Sequence, residues 1–398
     1  MSGVKPGLLP VADAQARLLA LLPTLPTETV ALRDAAGRWA AEDIFASRTQ
    51  PASDLSAMDG YAIRFADMPG PWRVVGESAA GLRFDGSVAA GEAVRIFTGA
   101  AMPAGADCVL VQEEAQREAL TLLLSGEGPS APGRNVRVRG LDFHEGDALL
   151  AAGERLTPQA LALVAVAGHA AVTVRRKVRV AIAATGDELV AAGAAIGPDQ
   201  LPESNGVMLS ALLADLPVEI IDLGILPDDM DTLVAAFAGV EADFLVTTGG
   251  ASVGDHDLIR PALAAAGATL DFWRIALRPG KPMLAGRMRD TAILGLPGNP
   301  VSAFVTALLF VAPVVRALSG AAAPWPRPVP ARAGAVLPAN GDRLDYLRAT
   351  LTDGAAFPAD RQDSSMLRTL ARSQCLIARA PHAPAAAIGD PVEVLPIA

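Results

Sequence analysis

Between residues 178 and 296 the chain repeats one pattern: a short apolar run, a turn bearing hydroxyls, glycine and acids, then a stretch with helical spacing. The runs at residues 178–183, 218–223, 243–247 and 291–295 are strand-like. Strand alternating with helix predicts a parallel sheet covered by helices on both faces. This α/β unit is expected over residues 177–320, and the Pro-rich residues 318–328 close it. From residue 51 to 140 the grammar differs: short β-rich segments at residues 72–75, 93–97 and 108–111 lie between Gly, Pro and Asp, predicting a small β-rich domain.

Residues 1–50 and 141–176 are expected to form an N-terminal helical and linker domain. Val11, Ala14, Leu18, Leu19 and Leu22 make a helical stripe that Pro23 ends, and a second helix is expected over residues 29–44. A third starts at Thr157-Pro158, an N-cap followed by proline at the first helical position, and it is expected to pack with the other two. Residues 321–398 read as a small C-terminal β domain. The predicted fold is therefore α/β plus β and multidomain: a central doubly wound, mostly parallel α/β domain between helical and β-rich N-terminal domains and the C-terminal β domain.

Composition narrows the function. The apolar share, 51%, falls in runs cut by Gly, Pro or charge before the roughly 18 residues of a membrane span, and residues 301–315 read as a buried helix. The N-terminus lacks a signal-peptide pattern, so the expectation is cytoplasmic with no membrane. A net charge of -10 argues against nucleic acid. Cys108 and Cys375 stand far apart with no CxxC partner, as core residues do. Lysine occurs only at positions 5, 177 and 281, so Lys281 calls for a reason.

In a doubly wound sheet, ligands sit outside the carboxyl ends of the strands. There the chain places Thr185-Gly186-Asp187-Glu188 and Thr247-Thr248-Gly249-Gly250-Ala251-Ser252-Val253-Gly254-Asp255. Glycine lets backbone N–H groups approach a phosphate closely, although neither a Walker A loop nor a GxGxxG fingerprint occurs. Glu188, Asp228, Asp255 and Asp257 would repel that phosphate unless a cation such as Mg2+ lay between them; alternatively Asp187 and Asp228 are helix N-caps. Arg278-Pro279-Gly280-Lys281-Pro282 adds cations on a rigid turn, and Leu296-Pro297-Gly298-Asn299-Pro300 a second glycine turn.

Those motifs, with Ser56-Ala57-Met58-Asp59-Gly60-Tyr61-Ala62 and Thr98-Gly99 before Pro103-Ala104-Gly105-Ala106-Asp107, occur in an order that resembles the molybdopterin molybdenumtransferases, related to the E domain of gephyrin. The resemblance spans nearly the whole chain. It implies an elongated homodimer and a Mg2+-dependent reaction in which adenylylated molybdopterin is cleaved, molybdate is ligated to the dithiolene sulfurs and AMP leaves. It further implies catalytic roles for Asp59, Thr98, Asp142, Glu188, Asp228 and Lys281, with Glu188, Asp228 and Asp257 at the metal. Thr185, Gly186, Thr248, Gly249, Gly250, Ser252, Gly254, Asp257, Arg278, Pro297, Gly298, Asn299, Ser364 and Ser365 would bind the substrate. Asp59, Thr98 and Asp142 would face the α/β domain of the other subunit.

Two departures touch the binding contacts: Leu141 stands where relatives often carry Glu, and Arg278 where they carry Lys. Two other functions fit the α/β domain, a molybdopterin adenylyltransferase using ATP and a non-catalytic gephyrin-like scaffold. The implied protein partners are a molybdopterin adenylyltransferase and molybdoenzyme apoproteins.

Overall fold

The computed structural model describes residues 8–249 and 258–397, with the backbone alone at Phe272. Its centre is a six-stranded sheet in the order Val218–Leu226, Val178–Thr185, Phe244–Thr248, Thr291–Leu296, Pro282–Met288, Thr269–Arg274. The first four strands run parallel, as the alternating pattern predicts, and the last two join antiparallel. Successive side chains of a strand point to opposite faces. Val180 and Ile182 accordingly pack with Leu209 and Leu213 of the helix Asn205–Leu213, and with Val301 and Val305. Ala181 and Ala183 pack on the other face with Leu233, Phe237 and Leu263 from the helices Met230–Ala238 and Ile259–Ala265.

The apolar stretch Pro300–Leu318 is a core helix, and it is the one helix among the described residues long and apolar enough to cross a membrane; most of it is buried inside the protein. Its middle turn, Ala307–Val311, widens to a π-helix just ahead of Pro313. Proline has no N–H to give the carbonyl four residues back. That carbonyl, Leu309 O, instead accepts from Gln15 Nε2 at 3.0 Å. Gln15 lies on the helix Val11–Leu19, whose buried Ala14 and Leu18 belong to the same cluster. The first helix of the chain thus packs on the α/β core.

Residues 29–44 are not a helix. Thr27–Ala31 is a strand paired antiparallel with Ala171–Arg175, a 3-10 turn follows at Leu32–Asp34, and Ile44–Phe45 pairs with Ala148–Leu150. The β-branched Thr27, Thr29 and Val30 favour the strand, and Gly37, at φ +76°, breaks any helical run. The helix Pro158–Val166 forms with Thr157 as its cap, but it packs on these strands, through Val164 against Val172 and Val174. Residues 60–124 form a second six-stranded sheet, and both cysteines are buried in β cores.

The C-terminal sheet is joined to the α/β unit by a strand pair: Leu277 and Arg278 lie parallel to Leu344 and Asp345. At the opposite, amino end of the central sheet, Arg176 donates to both carboxylate oxygens of Asp243 at 2.7 Å, and the Arg179 N–H adds a third bond at 2.8 Å. Burial pushes the Asp243 carboxyl up, but these donors and charges outweigh it and hold the group below the ordinary aspartate value. The stabilisation is thus present at neutral pH and lost as pH falls through that depressed value. Arg176→Ala, which strands a buried carboxylate, is expected to lower unfolding stability by about 3 kcal/mol, measured by urea titration. An unchanged midpoint would show that the pair contributes nothing.

Candidate active site

Three neighbouring parallel strands end in turns that touch without side chains between them. Gly249, at φ +96°, follows Thr248, and a Cβ there would sit 2.5 Å from the Thr185 carbonyl oxygen. A Cβ on Gly298 would lie 3.6 Å from the Gly249 Cα. Gly249→Ala is therefore expected to cost at least about 1–2 kcal/mol and to pull the Thr185 and Thr248 turns apart. Turnover should fall with stability. A variant with wild-type melting and turnover would contradict this packing. Beneath the turns, Thr185 Oγ1 donates to the Thr248 carbonyl at 3.3 Å, whereas the buried Thr247 and Thr248 hydroxyls have no partner among the described residues.

Acids gather at one end of this row, in the turns after Val178–Thr185 and after the outer strand Val218–Leu226. Glu188 folds back over Gly186, where a Cβ would lie 2.4 Å from its Oε2. Asp187 Oδ1 accepts the Asp228 N–H at 3.0 Å. The N-cap of the helix Met230–Ala238 is Asp229, which takes the Thr232 N–H at 2.9 Å and the Thr232 hydroxyl at 2.6 Å. Asp228 is thereby left out of the cap. Although the residue as a whole is exposed, its carboxyl is partly shielded; that shielding first, then the charges of Asp187 and Glu188, raises it above the ordinary aspartate value. Among the described residues no three acids, histidines or cysteines form a ready-made metal cluster.

Two flanking loops reach this edge. A Cβ on Gly280 would meet Thr306 Cγ2 at 2.6 Å, so the Arg278-Pro279-Gly280-Lys281 turn lies against the core helix. Arg278 pairs with buried Asp345, while the exposed Lys281 has no ion pair among the described residues. From the C-terminal domain, the Ser364 carbonyl accepts the Val301 N–H at 3.0 Å, in the first turn of the helix that follows Pro297-Gly298-Asn299. The Asn299 side chain does not cap that helix. Arg348, 1% exposed, holds the serine loop through Gln362 Oε1 and the Met366 and Arg361 carbonyls, at 3.2, 3.2 and 3.3 Å. Ser365 donates its hydroxyl to Asp363 at 2.6 Å.

A separate cluster stands on the β-rich sheet. Asp59 Oδ1 accepts the Thr98 N–H at 2.7 Å and the Thr98 hydroxyl at 2.9 Å. These bonds, then the charge of Arg95, hold its carboxyl below the ordinary aspartate value. Arg95 lies over the rings of Tyr61 and Phe97, at 5.2 and 4.7 Å, and donates to the Gly60 carbonyl and to Gln112. Asp142 is exposed, and its backbone N–H pairs with the Gln50 carbonyl. The hydrogen bonds found for Asp59 and Thr98 stay within the β-rich sheet, so within one chain the two clusters are not linked by them.

The matches to known families follow these sheets. Residues 9–168 match the MoeA N-terminal region (domain I and II), residues 181–317 a probable molybdopterin binding domain, and residues 330–397 the MoeA C-terminal region (domain IV). A molybdopterin molybdenumtransferase of Haemophilus influenzae is 40% identical over 319 residues, 79% of this chain and 78% of that protein. One from Staphylococcus aureus (strain MRSA252) is 32% identical over 382 residues, 93% of this chain and 91% of that protein. The chain belongs to the molybdopterin molybdenumtransferase family. The crystal structure of the molybdopterin biosynthesis MoeA protein from Pyrococcus horikoshii OT3 has the same fold, with a TM-score of 0.84 at 28% identity over 98% of this chain and 100% of that one.

Molybdopterin molybdenumtransferases are transferases of molybdenum cofactor biosynthesis. Of the residues that the family's motifs single out, the structure gathers Thr185, Gly186, Glu188, Asp228, Thr248, Gly249, Pro297, Gly298 and Asn299 along the carboxyl edge of the sheet, with Ser364 beside them. Gly250, Ser252, Gly254, Asp255 and Asp257 lie outside the described residues. Sequence reasoning passed over Asn205, whose Nδ2 holds the Gly298 carbonyl at 2.8 Å, as well as Arg95, Asp229 and Arg348. The dipeptide Ser204-Asn205 ahead of a helix was the available signal for the first. Nothing local marks Arg348, because its partners are thirteen or more residues away in an irregular loop.

Proposed function

We propose that this chain transfers molybdenum from molybdate to adenylylated molybdopterin, cleaving the adenylyl group and releasing AMP to leave the molybdenum cofactor. The observation that carries the reading is the carboxyl edge itself: Cβ-less turns and unpartnered hydroxyls beside a carboxylate whose proton affinity is raised by shielding and then by its acidic neighbours. Thr185, Gly186, Gly249, Pro297, Gly298 and Asn299, with the backbone alone of Thr248, would form the phosphate cradle, together with Gly250, Ser252 and Gly254. Lys281 faces the phosphates as a mobile point charge, and Arg278, tied to Asp345, keeps its charge fixed at the seam between domains. Ser364 and Ser365 close the cradle from the C-terminal side.

Mutually repelling carboxylates fit a hard cation, and Glu188 and Asp228, with Asp257, would hold Mg2+. Bound there, Mg2+ supplies positive charge to the phosphate oxygens. Few protein ligands are needed, since Mg2+ completes its shell with water and substrate phosphates. The protein acts as a homodimer in which Asp59, Thr98 and Asp142 of one subunit face the α/β unit of its partner. Its substrate comes from a molybdopterin adenylyltransferase and its product goes to molybdoenzyme apoproteins. It works in the cytoplasm.

The test is to supply purified protein with adenylylated molybdopterin, molybdate and Mg2+ and to follow AMP by chromatography. AMP release that depends on Mg2+, with a product that activates a molybdoenzyme apoprotein, is expected. Absence of AMP sinks the reading, and formation of the adenylylated species from ATP and molybdopterin would replace it with the adenylyltransferase.

A further inference from the structure

A buried polar atom without a partner has lost its water and gained nothing in return, so each one calls for an explanation. Among the described residues the side-chain atoms in this state are Trp72 Nε1, Asn205 Oδ1, Thr247 Oγ1 and Thr248 Oγ1. Three of the four residues stand at the carboxyl edge of the central sheet, and two of those share one face of it. Asn205 opens the helix Asn205–Leu213 and is 9% exposed. Its Nδ2 donates to the Gly298 carbonyl, which fixes the amide's orientation and leaves Oδ1 as an acceptor without a donor. Thr248 lies two residues after Val246, whose side chain packs in the same cluster as Leu209 and Leu213 of that helix. Strand alternation therefore turns Thr248 to the face that Asn205 occupies. The turns bearing Gly298 and Gly249 touch, which connects the two residues spatially.

We propose that Asn205 and Thr248 are a recognition pair for a heteroaromatic ring of the substrate, Asn205 Oδ1 accepting a ring amide or exocyclic amine N–H and the Thr248 hydroxyl completing the ring's hydrogen bonding. The inference rests on adenylylated molybdopterin being the substrate. Both its pterin and its adenine present such an N–H beside an acceptor, and the pair selects a ring by that pattern. Asn205 has a second role as a positioning residue, since its Nδ2 also holds the Leu296-Pro297-Gly298-Asn299 turn in register.

Thr248→Val, which keeps the shape and removes the hydroxyl, separates recognition from architecture. Removing an unsatisfied buried group should raise the melting temperature of the ligand-free protein, while KM for adenylylated molybdopterin rises about five- to twentyfold and kcat holds. Asn205→Ala should raise KM at least as far and lower the melting temperature, because the Gly298 carbonyl loses its donor; should it fail to fold, Thr248→Val carries the test. Calorimetric titration with AMP alone and with molybdopterin alone identifies the ring, as only the recognised half weakens in the variants. A Thr248→Val protein with a raised melting temperature and unchanged binding of both halves overturns the pair. If the wild type releases no AMP but the variants still weaken one half, the pair stands and the proposed reaction fails.

Discussion

Asp228→Asn is expected to lower turnover at least about a hundredfold while raising the melting temperature of the ligand-free protein slightly. The two effects have one origin. The native Asp228 carboxyl is shielded and faces Asp187 and Glu188, so its proton affinity is raised. Between the ordinary aspartate pKa and the raised value, the native state binds more protons than the unfolded chain. Stability of the ligand-free protein therefore falls as pH rises through that window, and at neutral pH the strain is fully present. Asn removes the charge and keeps the size. The Asp228 N–H bond to Asp187 belongs to the backbone and survives, as does the Asp229 cap of the next helix. Mg2+ should reverse the order. It raises the melting temperature of the wild type by binding the native state and leaves the variant almost unmoved. Thermal melts at pH 7 with and without Mg2+, alongside AMP release, read both effects. An Asn variant that gains as much from Mg2+ as the wild type, or turns over at its rate, removes Asp228 from the metal site.

The central sheet was readable because its information is local. Each strand is a short run of Val, Ile, Leu and Ala followed at once by its functional turn, and strand periodicity alone sends those turns to one edge. The error over residues 29–44 came from the same kind of reading where it does not apply. Those residues form strands whose partners lie more than a hundred positions away at Ala171–Arg175 and Ala148–Leu150, and no local period records that pairing. The site divides in the same way. Thr185, Glu188, Gly249 and Gly298 announce themselves in their own turns. Asn205 and Arg348 act by bonding backbone carbonyls of distant loops, and Arg348 does so as a buried guanidinium, an environment that sequence assigns to no arginine in advance. The choice between Asp228 and Asp229 as helix cap needed coordinates, since both sequence positions satisfy the capping pattern.

Mixing two inactive variants is expected to restore activity. Asp59→Ala lacks the β-sheet cluster and Glu188→Ala lacks an acid of the α/β edge, so in the proposed homodimer each variant would carry two broken sites. If sites are completed across the dimer, a mixed dimer has one site with both defects and one with neither. With random pairing half the dimers are mixed, and co-expressed variants should recover about a quarter of wild-type turnover. If each site were instead built within one chain, mixing would leave every site with one defect and recover nothing. The physical reason to expect the first outcome is the placement of Asp59. Its carboxylate is held by two bonds from Thr98, at 2.7 and 2.9 Å, and kept ionised with Arg95 nearby, yet neither bond reaches the α/β unit of its own chain. A carboxylate so fixed at the surface of one sheet fits a role opposite a partner's phosphate cradle. Thr98→Val should weaken that role without removing it, because the Thr98 N–H still holds Asp59 while the hydroxyl is lost. In the mixed-dimer assay it should complement Glu188→Ala more fully than Asp59→Ala does, since its own sites keep part of their activity.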